Sequence, residues 1–401
     1  MESLESALDR ILKDLAPLAS ETLPLDLASQ HYLAKALRSI VPVPPFDNSA
    51  MDGYALRAAD VVNASATTPV TLRRVDRIPA GGTPNASIEP GTCARIFTGS
   101  PLPPGADAVV MQEDTLVSEE SPDRIQICDR VVPWDHVRFQ GEDVKKDTEI
   151  LASGELCSPE RIAVLAACGV ATVECSRRPQ VALFTTGNEL RTPGSPLPPG
   201  CIYESNRVAL AAAVTRLGGL ATALPIVADE LQATQRAFLE AAGRYDVLIT
   251  TGGVSVGELD FLKPAFEAAG GTLEFWRVAV KPGKPFVYGK LGSMLWFGLP
   301  GNPVSAFITF LLLVRPVILR LQGARDVTLP NIPGVLSEAM VNRGDRRHFM
   351  RVIRTPDGTV RSAGRQGSHT LSSLAAANGI VDVPPDTALQ PGATVAVLSL
   401  Y

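Results

Sequence analysis

Between residues 177 and 325 the chain alternates short apolar runs with helical patterns, and this alternation restricts the possible folds more than any other feature. VALFTT (181–186) and DVLITT (246–251) have the composition of buried strands, and a loop and a helical pattern follow each of them. Further strands are expected at 223–229, 272–280 and 294–298, and helices at 205–219, 230–243, 262–269 and 304–323. Such alternation predicts a parallel-rich sheet with helices on its faces.

The rest of the chain does not show this regular alternation of strand and helix patterns. Apolar residues recur at helical spacing over 2–15, and a second helix is expected over 26–38. Helix returns in 141–176, most clearly at 159–167, and TPDG (355–358) predicts a hairpin turn in a β-rich C-terminal part. We predict four segments: a discontinuous N-terminal helical or mixed domain (1–47 and 141–176), an inserted β-rich module (48–140), an α/β domain (177–325) and a C-terminal β domain (326–401).

Composition excludes several classes of protein. The net charge of −5 gives no basic surface for a nucleic acid. The six cysteines form no CxxC pair, which favours free thiols in a reducing cytoplasm over a zinc site or a disulfide framework. The acidic N-terminus does not resemble a signal peptide, and the apolar run at 306–314 is far shorter than the roughly 20 residues of a membrane span. We therefore expect a cytoplasmic protein without a membrane segment.

Three loops follow predicted strands, where ligands bind in open α/β sheets. They are TTGNEL (185–190), VADE (227–230) and TTGGVSVGELD (250–260). Their acids Glu189, Asp229 and Asp260 are expected to converge on one crevice, where carboxylates would hold a phosphate group through Mg2+. The alternative is that these acids only cap the following helices, and for Glu258 we favour that alternative or simple exposure.

Groups that could bind an anion lie in the same part of the chain. Gly252, Gly253 and Gly257 allow backbone N–H groups to approach an anion. In VKPGKPFVYG, prolines restrict the backbone between Lys281 and Lys284, although two surface lysines are often only solvated. GLPGNPVSAF (298–307) then places small residues and the hydroxyl of Ser305 at a helix start, which an ordinary helix entry would also explain.

Polar clusters also occur in the N-terminal half. DNSAMDGYA (47–55) contains Asp52 beside Gly53, FTGSPLPPG (97–105) contains Thr98, and RFQGEDV (138–144) contains Asp143. A turn would explain each glycine, but it would not explain so many polar residues close together.

These motifs, together with QGSHTLSSLAAANG (366–379), resemble the molybdopterin molybdenumtransferase family, the MoeA-like proteins that include the C-terminal domain of gephyrin. The resemblance runs in order over nearly the whole chain. It implies that the α/β segment is a MogA-like molybdopterin-binding domain with a three-layer fold, that the C-terminal segment is a β-barrel, and that two chains form an elongated homodimer whose partner subunit completes the cleft.

The resemblance also implies a reaction and roles for residues. Adenylylated molybdopterin and molybdate would yield molybdenum cofactor and AMP, with Mg2+. Asp52, Thr98, Asp143, Glu189, Asp229 and Asp260 would be catalytic, with Mg2+ on the last three of these. The residues that would bind substrate are Gly252, Gly253, Ser255, Lys281, Lys284, Pro300, Ser305, Arg351 and Ser368. Asn188 replaces an acid found in some relatives, which would leave one negative charge fewer.

This chemistry agrees with the composition, because the pterin dithiolene supplies the sulfur ligands of molybdenum and no cysteine cluster is needed. No Ser/His or Cys/His pair is visible, so a molybdate oxygen is our hypothesis for the group that helps to cleave the adenylate. Three alternatives stay open: adenylyl transfer to molybdopterin, a non-catalytic scaffold, and a nucleotide deamidase-type relative. Transient contacts with the adenylyltransferase and with molybdoenzymes are also expected, and the sequence does not distinguish molybdate from tungstate.

Overall fold

The structure of the protein is a computed structural model, which describes residues 1–253 and 261–400. Its α-helices, numbered α1 to α8 in chain order, are Leu4–Leu12, Pro159–Ala167, Asn206–Arg216, Leu231–Ala241, Leu262–Ala268, Pro303–Thr309, Arg315–Leu321 and Leu371–Ala376. A π-helical segment, Phe310–Val314, joins α6 to α7.

The α/β segment contains a six-stranded sheet. Its strands in spatial order are Leu220–Ala223, Gln180–Thr185, Val247–Thr251, Met294–Leu299, Val287–Leu291 and Thr272–Trp276. The first four strands are mutually parallel, and the last two run antiparallel to their neighbours. The predicted parallel-rich sheet is therefore confirmed.

Both faces of this sheet are buried. Successive side chains of a strand point to opposite faces, so neighbouring residues of one strand belong to different cores. Val181 and Leu183 belong to a core shared with α1, α3, α6 and α7. Ala182 and Phe184 belong to the other core, in which α4 and α5 supply Phe238 and Phe266 against Trp296 of the sheet. Two helical layers around one sheet give the expected three-layer fold.

The helical stretch from Pro303 to Leu321 forms the centre of the first core. It agrees with the helix predicted over 304–323, of which the apolar run 306–314 is only a part. It is 19 residues long and apolar enough to cross a bilayer, but 83% of its 18-residue apolar window is buried inside the protein. A mostly buried helix of this kind is typical of the core of a globular domain. Helix α1 packs on the same core through Ala7 and Ile11.

The inserted module and the C-terminal segment are built on sheets. The module has a six-stranded sheet in the spatial order Ala108–Met111, Gly53–Leu56, Thr92–Ile96, Val70–Ile78, Ser121–Ile127 and Thr115–Ser118. The C-terminal segment closes a five-stranded barrel from Arg347–Arg354, Thr359–Ser362, Asn331–Leu336, Thr394–Ser399 and Gly379–Val383. The predicted barrel and the TPDG turn are confirmed, whereas α8 was not predicted. The exact domain boundaries stay a prediction.

The helix predicted over 26–38 is wrong. The segment has one 3-10 turn, Leu25–Leu27, and then turns, bends and isolated β-bridges before the short strand Leu37–Arg38. Its backbone groups pair with distant segments: the N–H of Leu33 donates to Glu155 at 3.0 Å, and that of Ala34 donates to Glu174 at 2.8 Å. Long-range pairing has overridden the local helical spacing.

Three smaller predictions also need correction. The strand expected at 223–229 is Leu220–Ala223, and it ends just before Pro225, which has no backbone N–H to donate. Between 141 and 176 only α2 is α-helical, and Glu149–Leu151 and Thr172–Ser176 are strands. Strand Val287–Leu291 was not predicted. The two-residue strand Val280–Lys281 leaves the α/β segment and pairs with the barrel strand Arg347–Arg354.

The turn after Lys281 packs against the core helix. Gly283 has φ +121°, and a Cβ atom there would lie 2.3 Å from Cγ2 of Thr309. The Thr309 hydroxyl donates to the carbonyl oxygen of Ser305 at 2.8 Å, which fixes the threonine side chain. Glycine is therefore required for the close approach of the turn to α6.

Substitution of Gly283 by alanine tests this packing. We expect Gly283→Ala to lower the free energy of unfolding by roughly 2–4 kcal/mol, because backbone strain adds to a clash with a fixed side chain. Gly292→Ala is the matched control: Gly292 also has positive φ, +59°, but a Cβ atom there would meet nothing within 4 Å, so about 1 kcal/mol is expected. Urea denaturation would measure both, and equal losses would contradict the packing argument.

Candidate functional site

A cavity of about 650 Å³ lies at the carboxyl edge of the parallel strands. Three neighbouring strands end there, and the residues that follow them line the cavity: Thr185 and Thr186, Gly252 and Gly253, and Pro300 and Gly301. This is the position at which ligands bind in open α/β sheets. The volume falls within the range of small-molecule and cofactor sites.

Hydrogen bonds hold the three strand ends together. The Thr251 hydroxyl donates to the Thr185 hydroxyl at 3.1 Å, and the Thr185 hydroxyl donates to the Thr251 carbonyl oxygen at 3.0 Å. The N–H of Gly252 donates to Leu299 at 3.2 Å. Gly252 has φ +84°, and a Cβ atom there would lie 3.0 Å from the carbonyl oxygen of Thr186. The glycine therefore permits both the turn and the close approach of the two loops.

The predicted acids Glu189 and Asp229 belong to two loops that a hydrogen bond joins. Glu189 lines the cavity, and Oδ2 of Asp229 accepts a hydrogen bond from the N–H of Asn188 at 3.2 Å. Asp260, Ser255, Gly257 and Glu258 lie outside the described residues. Over residues 1–253 and 261–400 no group of three possible metal ligands occurs. Asp229 is not among the lining residues, but carboxylate oxygens are the donors that Mg2+ prefers, so the chemistry of both acids fits that ion.

Helix starts supply partial positive charge. Helices α3 and α6 begin at the cavity, where Asn206 and Pro303 are lining residues. Nδ2 of Asn206 donates to the carbonyl oxygen of Gly301 at 2.7 Å and so ties the two starts together. Among the lining residues that the structure describes there is no lysine or arginine, and His369 contributes an imidazole. An anion bound here would rely mainly on backbone N–H groups.

The predicted oxyanion residues surround the start of α6. The N–H of Val304 donates to the carbonyl oxygen of Ser368 at 3.1 Å, which brings Ser368 beside Ser305. Arg351 is fully buried, and its Nη2 donates to the carbonyl oxygen of Gly367 at 3.2 Å. Burial lowers the pKa of Arg351, and its Nη1 has no hydrogen-bond partner among the described residues.

The two predicted lysines are near the cavity without lining it. Lys284 precedes Pro285, which is a lining residue, and the turn that contains both packs on α6. Lys281 pairs in register with His348 of the barrel. Neither Lys281 nor Lys284 is among the residues that line the cavity in a single chain.

The predicted residues of the N-terminal half lie outside the cavity lining. Asp52 precedes strand Gly53–Leu56, and Oδ1 of its carboxylate accepts hydrogen bonds from the Thr98 N–H at 2.8 Å and the Thr98 hydroxyl at 2.7 Å. These bonds hold the pKa of Asp52 below its ordinary value. The N–H of Asp143 donates to Val43 at 3.1 Å. Asp52, Thr98 and Asp143 do not line the cavity of their own chain.

Comparison with family models gives one consistent result along the chain. The model of the MoeA N-terminal region (domains I and II) matches residues 2–169, the probable molybdopterin binding domain matches 182–320, and the MoeA C-terminal region (domain IV) matches 333–400. Molybdopterin molybdenumtransferase 2 of Mycobacterium tuberculosis is 38% identical over 371 residues, 91% of each chain.

This chain belongs to the molybdopterin molybdenumtransferase family.

Other members of the molybdopterin molybdenumtransferase family agree with this assignment. The enzyme of Haemophilus influenzae is 37% identical over 384 residues, 94% of this chain and 93% of its own. The crystal structure of the molybdopterin biosynthesis MoeA protein of Pyrococcus horikoshii has a TM-score of 0.82 and 31% identity, and the match covers 100% of this chain and 99% of that one. The similarity therefore extends to all parts of the architecture.

Several lining residues were not identified from sequence. Thr185 and Thr186 are the final residues of a predicted strand, and their position at its end is the only sequence signal that they line the cavity. Tyr203 and Glu204 precede the helix predicted over 205–219 and have no predicted role, and Asn206 lies inside that predicted helix. A carboxylate directly before a helix start is a signal that could have singled out Glu204. His369 was noted within its motif but received no role.

A buried histidine near the site, His348, makes the stability of the folded protein depend on pH. Both ring nitrogens of His348 are buried without hydrogen-bond partners among the described residues, and burial followed by the charge of Lys281 lowers its pKa from 6.5 to about 4. Between these values the unfolded chain binds more protons, so stability falls as pH falls from about 7 to 4. The loss from this residue is about 3 kcal/mol.

His348→Gln should remove this contribution. We expect the variant to lose about 3 kcal/mol less than the unmodified protein between pH 7 and pH 4. Urea denaturation at several pH values would measure the difference. The same pH dependence in both proteins would contradict a buried neutral imidazole.

Proposed function

We propose that this chain inserts molybdenum from molybdate into adenylylated molybdopterin and releases AMP and molybdenum cofactor. The observation that carries the proposal is the cavity at the ends of three parallel strands, where Glu189, Gly252 and Gly253 meet two helix starts. Such a site combines a carboxylate with backbone donors for phosphate groups. Relatives that carry the name molybdopterin molybdenumtransferase along more than nine-tenths of this chain support it.

Glu189 and Asp229 are the described residues that would hold Mg2+, together with Asp260. The hydrogen bond from the Asn188 N–H to Asp229 supports this, because it fixes one loop against the other. Bound there, Mg2+ would neutralise phosphate oxygens and stabilise the departing AMP. The carboxylates themselves would orient the adenylate end of the substrate. The N–H groups after strand Val247–Thr251 would bind the phosphate oxygens of the substrate.

Molybdate is a small dianion and would bind beside the start of α6. Ser305 and Ser368 meet there, and Arg351 fixes the loop before Ser368 through the Gly367 carbonyl. Lys281 and Lys284 would supply positive charge from the rigid turn that packs on the same helix. Gly252, Gly253, Ser255 and Pro300 would complete the contacts to substrate. Hydroxyl and ammonium donors suit a tetrahedral oxyanion.

Asp52, Thr98 and Asp143 would act from a second subunit. The supporting observation is that Asp52 and Thr98 are held together by two hydrogen bonds and that none of the three residues lines the cavity of its own chain. A homodimer would bring the inserted module of one chain to the cleft of the other. We also propose a cytoplasmic location, no nucleic-acid partner, and transient contact with the adenylyltransferase and with molybdoenzymes.

The proposed reaction is tested by AMP release from adenylylated molybdopterin with and without molybdate. We expect molybdate-dependent release, and we expect Glu189→Gln to lower kcat/KM by about ten-fold or more, because the variant loses the carboxylate charge at the phosphate site. Glu240→Gln is the matched control, since Glu240 is an exposed residue of α4 outside the cavity lining. Its rate should equal that of the unmodified protein.

Two outcomes would contradict the proposal. Release of pyrophosphate from ATP and molybdopterin would indicate adenylyl transfer instead. Failure to release AMP at any molybdate concentration, with binding of a partner protein retained, would indicate a scaffold.

A further inference from the structure

A buried carboxylate lies in the cavity wall without a role in the proposed reaction. Glu204 lines the cavity and is only 2% exposed. Its Oε1 accepts a hydrogen bond from the backbone N–H of Arg207 at 2.7 Å, which caps the first turn of α3. Its Oε2 accepts none from the residues that the structure describes.

The neighbouring guanidinium forms an ion pair with this oxygen but donates no hydrogen bond to it. Nε of Arg207 is 3.5 Å from Oε2 and makes no hydrogen bond within the described part of the chain, while Nη1 donates to the carbonyl oxygen of Leu224. A buried carboxylate oxygen without a donor is costly, and a ligand N–H in the cavity would remove that cost. Glu204 thus needs a donor that the described residues do not supply.

An exposed ring stands next to this carboxylate. Ile202 and Tyr203 form a two-residue strand against Leu190–Arg191, and both line the cavity although they are 57% and 45% exposed. The Tyr203 hydroxyl donates to the carbonyl oxygen of Ser195 at 2.9 Å, which restricts the ring. An apolar residue and a restrained aromatic ring on a cavity wall offer a stacking surface for a planar ligand.

We propose that Tyr203 and Glu204 form the subsite for the pterin ring, with Tyr203 as stacking surface and Glu204 as acceptor. The pyrimidinone end of a pterin carries an amino group and a ring N–H side by side. One carboxylate accepts from both, with Oε2 as the free acceptor and Oε1 shared with the Arg207 N–H. Adenine presents its amino group beside an acceptor nitrogen, so the same carboxylate accepts only one hydrogen bond from it. This assignment rests on the proposed function, because it names which half of the substrate occupies this end of the cavity.

The subsite is tested with three separate probes on the full chain: pterin, lumazine and AMP. Lumazine has the pterin skeleton but an oxygen in place of the amino group, so it is the matched ligand control. The unmodified protein should bind pterin more tightly than lumazine. Glu204→Gln should weaken pterin binding about ten-fold or more, because the amide replaces one charged acceptor by a donor. Its affinities for lumazine and AMP should change little.

Two further variants separate recognition from folding. Tyr203→Ala should weaken pterin and lumazine alike, and Tyr203→Phe should retain most of the affinity because it keeps the ring. Glu204→Gln keeps an oxygen for the Arg207 N–H, so its melting temperature should stay close to that of Glu240→Gln. If Glu204→Gln does not fold, the preference of the unmodified protein for pterin over lumazine and the effect of Tyr203→Ala decide the question.

The assignment is overturned if the unmodified protein does not prefer pterin, or if Glu204→Gln weakens all three ligands equally. The latter result would identify Glu204 as a structural cap. These titrations contain no molybdate and no turnover, so they are independent of AMP release. Pterin preference without molybdate-dependent AMP release would contradict the proposed reaction alone, and the reverse result would contradict the subsite alone.

Discussion

The site depends on the alignment of three parallel strand ends. Gln180–Thr185, Val247–Thr251 and Met294–Leu299 are adjacent in one sheet, so the loops that follow them leave from the same edge. Hydrogen bonds between Thr185 and Thr251 and from Gly252 to Leu299 fix that edge. Apolar cores on both faces hold the strands in place, which leaves the loops as the parts free to carry polar groups.

The charges around this edge have different origins. Carboxylates come from side chains of the loops, while the groups that the described lining offers to an anion are backbone N–H groups at the starts of α3 and α6. The C-terminal part reaches the same place through Ser368, whose carbonyl oxygen accepts the N–H of Val304. The buried Arg351 then links the barrel strand to that loop. The start of α6 therefore contacts the C-terminal segment as well as the α/β segment. This contact explains why both segments lie beside the cavity.

Local sequence predicted those elements whose stability is local or strongly patterned. The helix over Pro159–Ala167 follows from proline at its first position, and the turn TPDG between two barrel strands follows from its residues. Segment 26–38 did not follow, because its N–H groups pair with Glu155 and Glu174, more than 100 residues away. The same limit applied to Glu204: only the fold shows that its Oε2 is buried in a cavity wall. The position of Glu189 at the cavity could be predicted, because the residue lies in a loop that directly follows a predicted strand.

The most direct measurement is anomalous diffraction at the molybdenum absorption edge from crystals soaked in molybdate. A molybdenum peak beside the start of α6, within reach of the turn that contains Lys281 and Lys284, is the predicted result. Peaks confined to other surfaces, with none at the cavity, would contradict the placement of the metal-insertion site at the carboxyl edge of the parallel strands.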